Sequence, residues 1–513
     1  MSKDADVIVI GAGIGGMVAA GALSYRGYKV LLFEKTNSFG GYCQSFYRRG
    51  YRFEAAVNKV GADYHRNILE KYLEIIQVKE KIVWKRFEEM VQIGDKRFNP
   101  GSLEFMDILI QQYPKEKENI IRFFKDGHDL ANYCIGIQKG DKAIKNSRLI
   151  SLMLKAANMS CVDYLNMYFE NKYLKENILV SSDAYPDWFA NVMILVLMHV
   201  KSKWSYRIEG GMQKYVNIIE KSIRNNGSQL CKGISVTKII IKDGKAKGVI
   251  AGGKKYYSSY IISNMDELKT YRDLIGINYI GNENYLNMIT KDLRPSLSCY
   301  TAWYGLDCPI TDIVAKIEDV SYYPTVGKAL KAKVDTSKAN GKFTDINWVY
   351  SSICANLDYT AIPEGCSQLT LGLPVAYNFE NRWGIDPEKE RGSKYKETKK
   401  EVSNLLINLA NDIYPDLGSH IVVEETATPY TYERYSNNTD GAYLGYYVDT
   451  KYARLFINDK FKMSIISGLY TASAWGTVAG GVTNTLLHSM EVVDSILKHD
   501  KGAEAMYNLK KRI

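Results

Sequence analysis

Residues 7–16 read VIVIGAGIGG, a continuous apolar run entering a turn with glycine at four of six positions. The chemistry such a turn offers is the binding of a diphosphate. Gly11 permits the tight turn, Gly13 lets main chain approach the phosphates, and Gly16 lets the following helix pack closely on the strand. The unpaired N–H groups and dipole at that helix's N-terminus favour the negative charge. Ala12 lies within the same turn. Glu34 and Lys35 end the next apolar run, YKVLLFEK at 28–35. A carboxylate at that position accepts hydrogen bonds from an adenosine ribose and disfavours a 2′-phosphate. FAD and NAD both satisfy these groups, whereas NADP does not.

Beyond this turn, spacing alone offers no further chemistry. The eight cysteines lie apart without a CxxC pair, and none stands at metal-ligand spacing with the six histidines, so free thiols and no metal are expected. No Ser/His/Asp set stands out. Chemistry performed by a bound cofactor, with protein supplying orientation and electrostatics, fits that pattern.

The elements that position the turn can be read from periodicity and punctuation. The first run predicts a buried parallel strand, followed by a helix through about Arg26 that Gly27 terminates, and then a second buried strand at 28–35. Residues 69–204 read as a mixed helical insertion, with FMDILIQQY at 105–113 and an apolar stretch at 188–200. VTKIIIKDGKAKGVI at 236–250 predicts two strands joined by Asp243-Gly244, and YYSSYIISN at 256–264 a further strand. A charged helix is predicted near 388–412, and a strand, glycine-rich turn and terminal helix over 463–497. The expected organisation is interleaved: a dinucleotide-binding domain from 1–68, 205–265 and 448–513, a helical substrate or lid region at 69–204, and a substrate-binding domain at 266–447. The fold class is α/β, a Rossmann-like FAD-binding domain with a mixed α+β substrate domain.

Several further segments carry a family likeness. Gly40-Gly41 follows the acidic residue closely, GYRFEAAVNKVG stands at 50–61, RIEGGMQKYV at 207–216, TATPYTYERYSNNTDGAYLGY at 426–446 and LYTASAWGTVAGGVTNTLL at 469–487. Together, and in this order, they resemble the phytoene desaturase, carotenoid isomerase and retinol saturase branch of the flavin amine oxidase superfamily. The resemblance implies FAD rather than NAD. It also implies that Gly40 and Gly41 approach the flavin, that backbone at Val236 meets the adenine, and that Ala472, Ala474 and Trp475 run along the ribitol and diphosphate. Gly480, Gly481 and Val482 are implied beside the isoalloxazine. Glu54 and Asn58 are implied flavin-lining candidates, and Tyr443 is the single best candidate for the substrate pocket. The chain departs from the pattern at Ser473-Ala474, where many relatives have Gly-Asp, and at Glu54-Ala55-Ala56, where the branch often has Asp-x-Gly.

Composition bounds the rest. The 513 residues suffice for two packed regions, with the 46% hydrophobic and 24% charged balance of a globular chain. The net charge of +10 is dispersed, without a basic run, so no nucleic-acid partner is expected, while weak peripheral contact with an anionic membrane surface stays open. The first strand starts so close to Met1 that no leader fits ahead of it, and a cytoplasmic location is expected. Thirty-nine tyrosines against 15 phenylalanines suit a pocket that is aromatic yet able to hydrogen-bond. The expected activity is an FAD-dependent oxidoreductase acting on carbon–carbon bonds of an unsaturated, lipophilic or conjugated small molecule. Redox-neutral cis–trans isomerisation, amine oxidation and a non-enzymatic lipid-binding escort role are the alternatives, and the electron partner is undetermined.

Overall fold

Four aliphatic residues with no exposed face, Val7–Ile10 (β1), form the centre of a five-stranded parallel sheet. The computed structural model describes residues 3–101, 104–139, 146–190, 203–279, 283–325, 328–385, 390–451, 465–477 and 480–512. Helix α1 (Ile14–Tyr25) follows β1 and leads to β2 (Val30–Phe33). The chain returns to this sheet three more times, through α2 (Gly211–Asn225) with β3 (Gln229–Cys231), through β4 (Tyr260–Ser263), and through β5 (Leu469–Thr471) with α3 (Gly481–Lys501). The strand order is β5-β4-β1-β2-β3. The sheet therefore reverses its direction of growth beside β1, and the crevice outside the carboxyl ends of strands at such a switch point is where ligands bind in open α/β sheets. Helix α1 buries eleven of its twelve residues. It lies between the sheet and helices α2 and α3, which explains why it is apolar all round.

Among the described residues, a nine-stranded sheet forms the second region. Two of its strands, Ser298–Leu306 and Ser367–Val375, pair antiparallel over their whole lengths, and the aromatic segment YTAWYG lies within the first of them. The Asp243-Gly244 hairpin forms as expected, with both turn residues at positive φ. The expected helices appear at Glu104–Gln112 and Ser393–Ala410.

Three expectations need correction. The region 69–204 is not purely helical, because Trp84–Ile93 is a ten-residue strand of the large sheet, paired parallel to Glu318–Tyr323. Ser205–Ile208, expected in the dinucleotide-binding part, pairs with that same strand. The run 256–264 is two strands, Lys254–Tyr257 in the hairpin sheet and β4 in the parallel sheet. In each case a pairing distant in sequence decides the sheet, which local periodicity does not carry. Positions 191–200 of the apolar stretch lie outside the described residues. Among the described residues no helix is long and apolar enough to cross a membrane.

Candidate functional site

The glycine turn sits where the topology puts it, at the carboxyl end of β1. Gly11 turns the chain at φ +88° and donates its N–H to Phe33 O at 2.8 Å. Helix α1 then starts at Gly13 with neither a capping side chain nor an acidic residue in its first turn. Its N-terminal N–H groups and dipole are thus left for an anion. A methyl group at Gly16 would lie 2.2 Å from Gly11 O, and one at Gly15 2.2 Å from Ala472 O. The first contact brings helix onto strand; the second seats the C-terminal segment directly on the start of α1.

Asn264, just after β4, joins these pieces. In the amide orientation that satisfies both neighbours, it accepts from Gly13 N–H at 3.0 Å and donates to Ala472 O at 2.7 Å. Sequence reasoning passed over both Asn264 and Gly15. The spacing of the fingerprint gave a signal for Gly15, as a glycine inside a helix, but an asparagine 250 positions on gives none.

At the other end of the turn, Glu34 is buried and accepts from Ala12 N–H and Thr36 N–H, each at 2.8 Å, one on each carboxylate oxygen. Each oxygen keeps a second acceptor site. The chain arriving from β3 passes alongside: Glu34 accepts at its carbonyl from Ile234 N–H (2.9 Å), and Val236 begins the adjoining strand two residues later. Lys35 turns away from the sheet and donates to Arg434 O at 3.2 Å.

Gly40 and Gly41 meet the first glycine turn. Gly40 N–H donates to Ala12 O at 2.7 Å, and a methyl group on Gly41 would lie 3.1 Å from Gly13 Cα. Ala472 is anchored by its N–H to Ser263 O (2.8 Å). Trp475 is buried, donates to Asn438 at 3.2 Å and meets Tyr446 edge-on at 4.9 Å. Gly480 and Ala474 face the 440–446 segment, since methyl groups at Gly480 and Gly445 would lie 2.3 Å from Leu444 O and 2.7 Å from Ala474 O respectively. Gly481 faces open space, and Val482 is half-buried. Helix α3 starts at Gly480 with no capping side chain and no acid in its first turn. Ser489 of α3 faces Gly15, so about 12 Å of helix separates that contact from the N-terminus of α3 at 1.5 Å per residue.

Glu54, a flavin-lining candidate by resemblance, sits in a buried ion-pair cluster. Its carboxylate accepts from Arg207 Nη2 at 3.1 Å, Ser45 Oγ at 2.9 Å and Met212 N–H at 3.3 Å. It therefore rests on the N-terminus of α2, where a methyl group on Gly211 would lie 2.2 Å from it. Burial pushes its pKa above the usual carboxylate range, against the pull of Arg207. Asp358 completes the cluster, pairing with Arg52 and accepting from Gly210 N–H at 2.8 Å. The two motif segments GYRFE and RIEGG thus pair with each other. Asn58 takes part through its carbonyl, which accepts from Arg207 at 3.2 Å.

Tyr42, next to the Gly40-Gly41 loop, lies near Cys299, which in turn lies near Tyr443, and all three are half-buried. Tyr42 donates to Ala442 O at 3.0 Å and so fastens the 440–446 segment to the glycine loop. Burial raises the Tyr42 phenol and the Cys299 thiol, each to about 12, and the Tyr443 phenol well above its ordinary value. All three are neutral at physiological pH. At the other end of strand Ser298–Leu306, Asp307, Cys308 and His420 come within metal-ligating reach of one another, a grouping that their sequence separation hides.

Comparison with known proteins agrees with this geometry. Residues 9–73 match the family model of the NAD(P)-binding Rossmann-like domain. Over 91% of its length the chain is 24% identical to prolycopene isomerase 1 of an Oncidium hybrid cultivar, covering 80% of that protein. It is likewise 24% identical to 4,4′-diaponeurosporene oxygenase of Staphylococcus haemolyticus, with 96% of each chain covered. Wild-type putrescine oxidase bound to putrescine superposes with a TM-score of 0.63 at 15% identity, covering 96% of this chain and 99% of that one. The likeness carried by the motifs is thereby borne out: the chain is a distant homologue of the prolycopene isomerases and diaponeurosporene oxygenases, built on the fold of the flavin amine oxidases.

Proposed function

We propose that the protein is an FAD-dependent oxidoreductase acting on a carbon–carbon bond of an unsaturated, largely apolar organic molecule. The observation that carries this reading is that the Gly40-Gly41 loop and Ala472 both close on the start of α1, while Tyr42 ties the same loop to the 440–446 segment, on which Gly480 at the start of α3 packs. FAD, when bound, supplies hydride exchange at carbon.

The chain's own residues do the rest. The α1 N-terminus offers its N–H groups to the diphosphate, and the remaining acceptor sites of Glu34 suit the adenosine ribose. Backbone near Val236 adjoins the adenine end. The N-terminus of α3 offers positive potential beside the flavin ring, where it stabilises negative charge on the reduced form. Tyr42, Cys299 and Tyr443, all neutral, offer surroundings of low polarity that exclude water and orient the substrate.

A second reading is favoured by the prolycopene isomerase homology, namely redox-neutral cis–trans isomerisation that depends on the reduced cofactor. Anaerobic titration of the purified yellow protein with polyene donors and acceptors tests both. Bleaching by a saturated substrate, or reoxidation by an unsaturated one, supports the oxidoreductase. Turnover only after chemical reduction, without net redox change, supports isomerisation, and peroxide release with an amine would point to amine oxidation instead. A colourless protein that takes up no FAD defeats the proposal.

A further inference from the structure

At the end of strand Ser298–Leu306 that lies away from Cys299, three side chains of metal-ligating type meet. Asp307, Cys308 and His420 each bring one ligand atom, and these atoms lie within 4.8 Å of one another. Two segments distant in sequence build the group. Ser298–Leu306 pairs antiparallel with Ile421–Ala427, and just beyond that pairing Asp307 N–H donates to His420 O at 3.1 Å. The register shifts between Gly305 and Leu306, and the chain then turns into Ile310–Asp312. Side chains of a regular strand alternate between faces, whereas an irregularity of this kind re-aims them and lets the consecutive Asp307 and Cys308 serve one point. His420 Nδ1 stands 3.0 Å from Asp307 Oδ1. Cys308 is 8% exposed, while Asp307 and His420 reach solvent, so the group is open on one side. Among the described residues no lysine or arginine is ion-paired with Asp307.

We infer that Asp307, Cys308 and His420 bind a zinc ion, with water in the fourth position, as a clip between these two strands. The donor set selects the metal. Thiolate and imidazole favour zinc over magnesium or calcium, and thiolate with carboxylate together neutralise its two charges. Bonds of about 2.1 Å to oxygen and nitrogen and about 2.3 Å to sulfur place tetrahedral ligand atoms about 3.3–3.6 Å apart. The 3.0 Å between Asp307 and His420 is already close to that spacing, and the other separations, at most 4.8 Å, close by small side-chain rotations. The site stands apart from the proposed flavin chemistry. Cys299 and Leu306 lie seven residues apart along one strand, about 23 Å at 3.3 Å per residue. Zinc here therefore acts on stability, by holding the end of Ser298–Leu306 to the start of Ile421–Ala427.

The test uses the full-length protein as purified, stripped with chelator and kept reduced, then titrated with zinc and, separately, with cobalt. Cobalt reports the ligands, because a bound thiolate gives an intense near-ultraviolet charge-transfer band; reading it against the same sample without metal cancels any flavin absorbance. The expected result is one zinc retained per chain, the cobalt–thiolate band, and a melting temperature raised by zinc and not by magnesium. Cys308→Ser should abolish the band. Asp307→Asn and His420→Ala, both at solvent-reaching positions, should each weaken zinc binding about tenfold or more, since loss of even a supporting group at a metal site costs about that factor. Their melting temperatures without zinc should match wild type, which separates lost ligation from misfolding. Cys366→Ser is the control: Ser367 pairs with Leu306, so Cys366 stands across from Asp307 without joining the group, and the variant should keep both zinc and the band. No retained zinc, a band that survives Cys308→Ser, or a band lost in Cys366→Ser would overturn the inference. Zinc held equally by wild type and the three ligand variants would overturn it too, as an adventitious ion only.

Discussion

Replacing Gly15 by alanine separates the reasoning of helix propensity from that of close approach. Gly15 is a helical residue outside the left-handed region, so propensity alone makes alanine better by about 1 kcal/mol. The structure reverses this expectation. The new methyl group would lie 2.2 Å from Ala472 O, 2.7 Å from the Asn264 amide nitrogen that donates to that oxygen, and 3.0 Å from Ser489 Oγ. The first contact is main chain, and the N–H of the same residue is held by Ser263 O at 2.8 Å, so it cannot retreat without pulling β5 from the sheet. Overpacking of this kind costs about 1–3 kcal/mol, and a contact this short against backbone belongs at the upper end. After the propensity gain, a net loss of about 2 kcal/mol remains. FAD should bind about tenfold or more weakly, because the C-terminal segment moves off the phosphate cradle. Urea unfolding of the apoprotein measures the first effect and flavin-fluorescence titration the second. Gly418→Ala serves as control, since its nearest neighbour would be Ile407 Cγ2 at 3.8 Å, and it should stay within about 0.5 kcal/mol of wild type. An unfolding midpoint at or above wild type for Gly15→Ala, with unaltered FAD affinity, would refute the argument.

Glu34→Ala removes the acceptor for one buried and one half-buried N–H group and the proposed ribose contact, and FAD affinity measured by fluorescence titration should fall about 10- to 100-fold. Arg207→Met removes the closer of the two buried cations beside Glu54, leaving Arg52 at 4.0 Å, and should cost about 3 kcal/mol in chemical denaturation, with Glu54→Gln in the same chain restoring part of that loss. Glu267, buried between the hydroxyls of Tyr285 and Tyr446, has its pKa raised by burial to about 7 from the ordinary 4.5 of a glutamate. The folded state therefore holds this proton after the unfolded state has lost it. The associated stability is complete below about pH 4.5 and is lost as pH rises to about 7, amounting to roughly 3 kcal/mol. Urea midpoints across that window should decline in wild type relative to Glu267→Gln, and parallel profiles would rule the titration out.

The parts legible in the sequence are those fixed by local pattern. The unit β1-α1-β2 announces itself through an apolar run, glycines at constrained positions and Glu34 at the end of the next strand, all within 35 residues. The Asp243-Gly244 turn is similarly self-contained. What stayed hidden is set by partners far along the chain. WKRFEEMVQI at 84–93 has an irregular burial pattern, and its pairings with the distant Glu318–Tyr323 and Ser205–Ile208 place it in the large sheet. The family likeness located the Glu54 segment but not its partner, because Arg207 stands about 150 positions away. Tyr443 could be singled out by motif, whereas Asp307, Cys308 and His420 carry no local mark and are brought together by the fold.

The contacts among the glycines explain why the site must be interleaved. Gly13 is met by Gly41 from the loop after β2, Gly15 by Ala472 from the C-terminal segment, and Ala474 by Gly445 from the 440–446 segment. Each is an approach of main chain to main chain, which a single methyl group would block. Main chain this close leaves N–H groups rather than side chains facing the cradle, and that suits an anion whose recognition depends on direction. The N-terminal unit alone supplies only one wall. Residues 9–73, the span that matches the Rossmann model, contain neither Asn264, which ties Gly13 to Ala472, nor the N-terminus of α3. A fragment ending near residue 73 would keep the phosphate fingerprint yet lack the groups that close it, so the proposed cofactor site draws on the whole chain and needs β4 and β5 in place.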